Sequence, residues 1–209
     1  VEPTLEPEPA AAAVIAGDRL PLLRRYALAL AEQGEERGLI GPLELPRLWT
    51  RHVLNSALVA PLLRPGLVGD VGSGAGLPGV VLGILRPDVR FVLIEPMERR
   101  VVWLQEQIDS LELENVSVLR ARAEEVALAQ PLDQVTARAV SALSKLIPLT
   151  APLLRRGGEL VLLKGVNAEK EIGAAEKQIR RFRLSAPEVI VLGDGVLSEV
   201  TRVVRATVG

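Results

Sequence analysis

An acid followed by three alternating glycines, Asp70-Val71-Gly72-Ser73-Gly74-Ala75-Gly76, is the part of this sequence whose residue types and spacing point most directly to chemistry. Leu67-Val68-Gly69 before it reads as a buried strand, and Leu77-Pro78-Gly79 after it opens a helix, so the glycines form a strand-to-helix turn. Glycine there lets the backbone take strained angles and come close to a bound molecule, while exposed amides at the helix start favour an anionic group. Pro78 suits the first helical turn, where a missing N–H costs little. The turn reads as a ligand site of nucleotide type.

The turn does not by itself choose the ligand. Gly74, Gly76 and Gly79 satisfy the G-x-G-x-x-G spacing of dinucleotide folds, and Glu95 follows Gly74 by about the ~20 residues expected of a ribose-binding acid. A nicotinamide-dependent oxidoreductase therefore stays open. Against it stands Asp70, whose carboxylate on the strand tip would repel a nearby pyrophosphate and suits a ligand that carries an ammonium group. S-adenosylmethionine has that ammonium, a sulfonium and a ribose diol, and no phosphate. A module that binds the cofactor without catalysis is a third reading.

Further residues fall at strand ends, where ligands of a doubly wound sheet bind. Glu95 ends the second strand and can accept two hydrogen bonds from a ribose diol. Ala123-Glu124 follows the third, and Glu124 reads equally as a first-turn acid favoured by the helix dipole. Arg138 ends the fourth among small apolar residues and calls for a carboxylate or phosphate partner. Lys164 ends the fifth on the same rim. His52 is the single histidine and Cys is absent, so any triad, metal cluster or acid-base pair built around more than one imidazole, thiolate metal sites and cysteine nucleophiles are all excluded. With Arg51 and Asn55, His52 forms a polar edge on a helical segment.

The absences also narrow a methyl-transfer chemistry. Methylation of a pyrimidine carbon calls for a cysteine, and methylation of an exocyclic amine commonly uses an Asn- or Asp-Pro-Pro-aromatic loop where this chain has Arg138-Ala139-Val140-Ser141. Guanine N7 has a free lone pair and needs neither, since in-line positioning and exclusion of water suffice.

The elements that must position these residues follow from periodicity. Residues 18–63 read as helices only, with Leu20, Leu23, Ala27 and Leu30 on one face. Strands at 67–71, 90–95, 116–120, 133–138 and 159–164 then alternate with helices at 77–86, 98–111, 123–129, 143–156 and 168–181, a pattern that requires a mostly parallel sheet covered on both faces. Strands at 184–192 and 199–207, close in sequence, form a terminal antiparallel hairpin. In helix 98–111 the expected stripe is Val101, Leu104, Ile108 and Leu111, with Gln107 facing water and Trp103 partly buried. The organisation is a disordered tail at 1–12, a helical extension at 13–65 and a sheet domain at 66–209.

With 209 residues, 48% of them hydrophobic, the chain supports an ordinary core. A formal charge of −1 gives no whole-molecule attraction to nucleic acid, so RNA contacts would use local arginine patches. No apolar run approaches the ~18 residues of a membrane helix, and the Glu- and Pro-rich start is unlike a signal peptide. The expectation is a cytoplasmic protein with no membrane or metal partner.

In order along the chain, Leu48-Trp49-Thr50-Arg51-His52-Val53-Leu54-Asn55-Ser56, Asp70 to Gly79, Ala123-Glu124-Glu125, Arg138-Ala139 and Leu163-Lys164-Gly165 resemble the bacterial 16S rRNA guanine-N7 methyltransferases, the glucose-inhibited division protein B family. The resemblance implies an α/β, class I S-adenosylmethionine-dependent methyltransferase (Rossmann-like) sheet with an N-terminal helical extension. It also implies methylation of one guanine of 16S rRNA, free or in the small ribosomal subunit; a monomer is the separate expectation. Carried over, Gly72, Leu77, Ala123, Glu124 and Arg138 would bind the cofactor, joined by Glu95 on its ribose and by the turn residues Asp70, Ser73, Gly74 and Gly76 already read as a ligand site. Arg51, His52, Arg138 and Lys164 would line the RNA side, with Arg138, Lys164 and His52 the candidate catalytic residues. Asn55 departs from the acid common at that place.

Overall fold

Val68, Phe91 and Leu93 point to one face of a sheet while Val71, Val92 and Ile94 point to the other, the period-two alternation of strands buried on both sides. In the computed structural model, which describes residues 4–209, the strands are β1 (Leu67–Val71), β2 (Arg90–Ile94), β3 (Val116–Leu119), β4 (Leu132–Arg138), β5 (Leu154–Lys164), β6 (Glu188–Leu192) and β7 (Thr201–Thr207). Their order across the sheet is β3-β2-β1-β4-β5-β7-β6. The first five are parallel, and β7 runs antiparallel between β5 and β6. Strand order reverses between β1 and β4, so the crevice for a ligand lies beyond the ends of these two strands.

The helices are α1 (Ala11–Ala16), α2 (Leu20–Gln33), α3 (Asn55–Ala57), α4 (Gly79–Leu85), α5 (Glu98–Ser110), α6 (Leu143–Thr150), α7 (Ala168–Ala174) and α8 (Glu176–Arg181). Residues of α1, α2, α4, α5 and the π-helical turn Leu48–Leu54 share one apolar cluster on one face of the sheet. Residues of α6, α7 and α8 pack on the other. The N-terminal helices thus share a continuous core with the sheet, and Leu23, Tyr26 and Leu30 are fully buried in it.

Several boundaries differ from the sequence reading for identifiable reasons. Helix 77–86 begins at Gly79, because the turn continues through Pro78. Helix 143–156 stops at Thr150, where Pro152 removes a donor and the chain passes through a 3-10 turn into an early-starting β5. Helix 123–129 is reduced to one 3-10 turn, Ala123–Glu125, since so short a segment lacks the length to propagate. Helix 168–181 is split into α7 and α8 at Ala175.

Trp103 and Gln107 are buried, not partly buried and exposed as the stripe implied. Of the segment 1–12 expected to be disordered, residues 1–3 lie outside the described residues. The rest is tied down, with Glu8 pairing with Arg24 at 2.6 Å and Glu6 accepting from the Thr50 amide at 3.0 Å.

Candidate functional site

The glycine turn is built by its neighbours. Gly72, Gly74 and Gly76 all have positive φ, at 70°, 56° and 100°. Gly76 must be glycine on steric grounds too, because a Cβ there would lie 2.5 Å from Val80 Cγ2. At Gly74 the surroundings are open, with nothing nearer a Cβ than the Gly72 carbonyl at 3.8 Å. Two donors converge on the Ala75 carbonyl from different helices: Tyr26 Oη at 2.9 Å from α2 and Trp103 Nε1 at 2.8 Å from α5. Both side chains are fully buried, so these bonds satisfy otherwise orphaned polar atoms and fix the turn. Burial raises the Tyr26 phenol above its ordinary pKa and keeps it a neutral donor.

Asp70 is completely buried, which corrects its expected role as a receiver of a ligand ammonium. Its Oδ1 accepts from Thr136 Oγ1 at 2.9 Å across the β1–β4 register, and its Oδ2 accepts from the Gly79 amide at 3.1 Å. Burial pushes its pKa up to about 6, against the lowering effect of these hydrogen bonds. The acid therefore joins β4 to the start of α4, and the helix amide expected to meet an anion is occupied by Asp70. Ser73 is likewise buried, its Oγ donating to the Asp70 carbonyl at 2.8 Å, and the Leu77 side chain sits in the core.

Glu95 sits at the end of β2, 21 residues after Gly74, and the two touch: its Oε2 accepts from the Gly74 amide at 2.9 Å and its Oε1 from the Met97 amide at 2.9 Å. An open pocket of about 370 Å³ adjoins it, lined by Pro96, Met97, Arg120, Ala121, Arg122 and Glu125. Ala123 and the exposed Glu124 are on the same turn as this wall. Of the lining residues only Glu125 was named from sequence, as part of the Ala123-Glu124-Glu125 motif. The exposed Met97, two places after a strand-end acid, was the available signal.

Across the crevice the structure joins residues that sequence treated separately. Arg138, at the end of β4, donates through one guanidinium nitrogen to the Arg51 carbonyl at 3.1 Å and through another to Nδ1 of His52. Its partners are uncharged, and no carboxylate pairs with it among the described residues. Nε2 of His52 lies 2.6 Å from Oε2 of Glu44, which Arg47 grips through two bonds. Burial, and next the Arg138 charge, hold the His52 pKa below its ordinary value. Ala139 then takes φ of 55°, a conformation costly by about 1–2 kcal/mol for a residue with a Cβ, and Val140 packs over Gly72.

Lys164 is held rather than free: its Nζ donates to the Ser141 carbonyl at 2.8 Å and pairs with Glu171 at 2.7 Å. It anchors the loop after β4. Arg51 faces outward and pairs with Glu199 at 3.2 Å. Among the described residues no group of three His, Asp or Glu side chains could hold a metal ion, and no helix is long and apolar enough to cross a membrane.

Over residues 19–194 the chain matches the family described as rRNA small subunit methyltransferase G, GidB. This chain belongs to that family. Ribosomal RNA small subunit methyltransferase G of Leifsonia xyli is 71% identical over 205 residues, 98% of each chain. Its counterpart in Clavibacter michiganensis is 68% identical over 204 residues, 98% of this chain and 97% of that one. Among solved structures, the B. subtilis tRNA methyltransferase TrmK shares the fold with a TM-score of 0.59 at 14% identity, covering 77% of this chain and 68% of that chain. M. jannaschii TYW2 in complex with AdoMet does so with a TM-score of 0.58 at 19% identity, covering 76% of each. Membership of the methyltransferase G family overturns the nicotinamide alternative. The family's sheet is the class I methyltransferase, Rossmann-like sheet expected from the sequence, including the antiparallel final hairpin.

Proposed function

We propose that this chain transfers the methyl group of S-adenosylmethionine to N7 of a guanine in 16S rRNA, acting as a cytoplasmic monomer on the RNA or the small ribosomal subunit. The observation that carries the reading is an uncompensated cation, Arg138, facing an acid-lined glycine turn at the switch point of the sheet. S-adenosylmethionine supplies an activated methyl group on a sulfonium. The donor set fits its other parts. Glu95 retains lone pairs for a ribose diol beside an open pocket of a size for a purine, Gly74 leaves space for close approach, and Arg138 suits an amino-acid carboxylate.

On this reading Gly72, Ser73, Gly74, Gly76, Leu77, Ala123 and Glu124 surround the cofactor, several through their main chains. Residues 13–65 are the extension that completes the site and 66–209 the methyl-transfer fold. Transfer to N7 needs no general base, so the chain's work is to align the acceptor with the methyl group and to exclude water. Lys164 contributes by holding the 139–142 loop at the mouth.

Incubation with labelled S-adenosylmethionine and unmodified small-subunit particles or 16S rRNA tests the proposal. One methyl group per RNA is expected, mapped by strand cleavage specific for N7-methylguanine. Absence of transfer to both substrates overturns it, and tight cofactor binding without transfer leaves the non-catalytic reading in its place.

A further inference from the structure

We infer that the Glu44–His52 pair positions Arg138 for the carboxylate of the cofactor's amino-acid end, with His52 serving as a neutral hydrogen-bond acceptor instead of facing RNA. The inference rests on the methyl-transfer reading above and adds to it a mechanism for keeping a half-buried cation both oriented and unneutralised.

The tautomer follows from the partners. A guanidinium donates at every N–H and accepts at none, so the His52 nitrogen that meets Arg138, Nδ1, carries a lone pair. The ring proton is then on Nε2, where it points at Glu44 Oε2 at 2.6 Å. Glu44 is fixed in turn by Arg47, through bonds of 3.0 and 2.6 Å, with Arg51 Nε 3.8 Å away. A protonated ring would lose the acceptor and set a second cation against Arg138. His52 is buried, and that burial together with the Arg138 charge keeps the ring neutral.

The second acceptor of Arg138 is the carbonyl of Arg51, the preceding residue. Both are supplied by the π-helical turn Leu48–Leu54, a wide-turn geometry concentrated at functional sites. Two uncharged acceptors orient the guanidinium plane and leave its charge for an incoming anion. A carboxylate in the place of His52 would neutralise Arg138 and compete with that anion. Asp70 and Tyr26, the other titratable groups that Arg138 senses, make their own hydrogen bonds elsewhere.

Calorimetry on the full chain tests this with two probes, S-adenosylhomocysteine and 5′-methylthioadenosine, which lacks the amino-acid end. His52→Leu is expected to weaken the first roughly tenfold, the worth of a charge-assisted contact, and to leave the second within about twofold. The His52→Leu/Arg138→Ala double variant is expected to bind S-adenosylhomocysteine no more weakly than Arg138→Ala alone, because one residue acts through the other. His52→Gln, which can present an amide oxygen to Arg138 and an NH2 to Glu44, restores most of the affinity.

Equal loss of both probes, or additive losses in the double variant, overturns the inference. Should His52→Leu fail to fold, Glu44→Gln carries the same test: selective loss of S-adenosylhomocysteine supports it and unselective loss overturns it. A wild-type chain that binds neither probe defeats the methyl-transfer reading itself. Wild-type binding of S-adenosylhomocysteine that substitution at His52 leaves unchanged defeats this inference alone.

Discussion

The two sides of the crevice are built by opposite rules. At the ends of β1 and β2 the strand-end charges are acids, and Asp70 and Glu95 accept from backbone amides and one hydroxyl within the sheet domain, with Arg100 Nη1 4.0 Å from Glu95. Beyond β4 and β5 the charged groups are bases, and Arg138 and Lys164 are held by carbonyls and side chains from elsewhere in the chain. An acid can shape a loop locally because amides are always at hand. A half-buried guanidinium needs acceptors delivered to it, and here the N-terminal segment delivers them.

If the acidic side is local architecture, damage there should appear first in stability. Gly76→Ala forces a Cβ onto Val80 at a φ of 100°, and strain plus overpacking should cost roughly 3–5 kcal/mol, read by urea denaturation. Gly74→Ala has room for its methyl, so the same measurement should show about 1 kcal/mol while cofactor affinity falls. Equal stabilities of the two variants would break the distinction between a glycine required by packing and one required by a ligand.

Asp70 provides a pH signature. Its folded pKa, about 6, lies above its ordinary 3.8, so the folded state holds the proton more tightly. Its contribution is complete below pH ~4 and is lost as pH rises through 6, on the order of 2–3 kcal/mol in all. Asp70→Asn should remove that dependence, so the stability difference between variant and wild type should shift in favour of the variant from pH 4 to pH 7. A constant difference would show that Asp70 titrates normally.

On the basic side, function should fail before the fold. Arg138→Ala should raise the S-adenosylmethionine KM or Kd roughly tenfold to a hundredfold with little change in the melting transition. Tyr26→Phe, which removes one of two donors to the Ala75 carbonyl, should cost about 1 kcal/mol. Arg51→Ala breaks an exposed pair with Glu199 and should leave stability within about 0.5 kcal/mol, so any effect on turnover of RNA would report a direct contact.

The same contrast explains what could be read from sequence. The β1 turn, the strand-end acid Glu95 and the alternation of strands and helices are encoded by local spacing, and their positions along the chain are close to those expected. Asp70 was visible as an acid before glycines, but its inward direction depends on the pleat of β1 and on Thr136 in a neighbouring strand 66 residues away. Arg138 and His52, 86 residues apart, each stood out singly. Nothing in their spacing announces that they touch. Glu44 and Tyr26 gave no local signal at all, because an acid in a loop and a tyrosine in a helix have many uses. Lys164 looked like a rim cation because sequence does not reveal that Glu171 and the Ser141 carbonyl close over it.

The position of β7 has a consequence for biosynthesis. This strand comes last of the seven yet lies one place in from the sheet's margin, between β5 and β6. A nascent chain that has emerged only to residue 200 leaves the hydrogen-bonding side of β5, from Glu159 to Lys164, without its neighbour. An unprotected apolar margin of that kind invites pairing with other chains. Products cut short between β6 and β7 should therefore be cleared or aggregate instead of persisting as weakened enzymes.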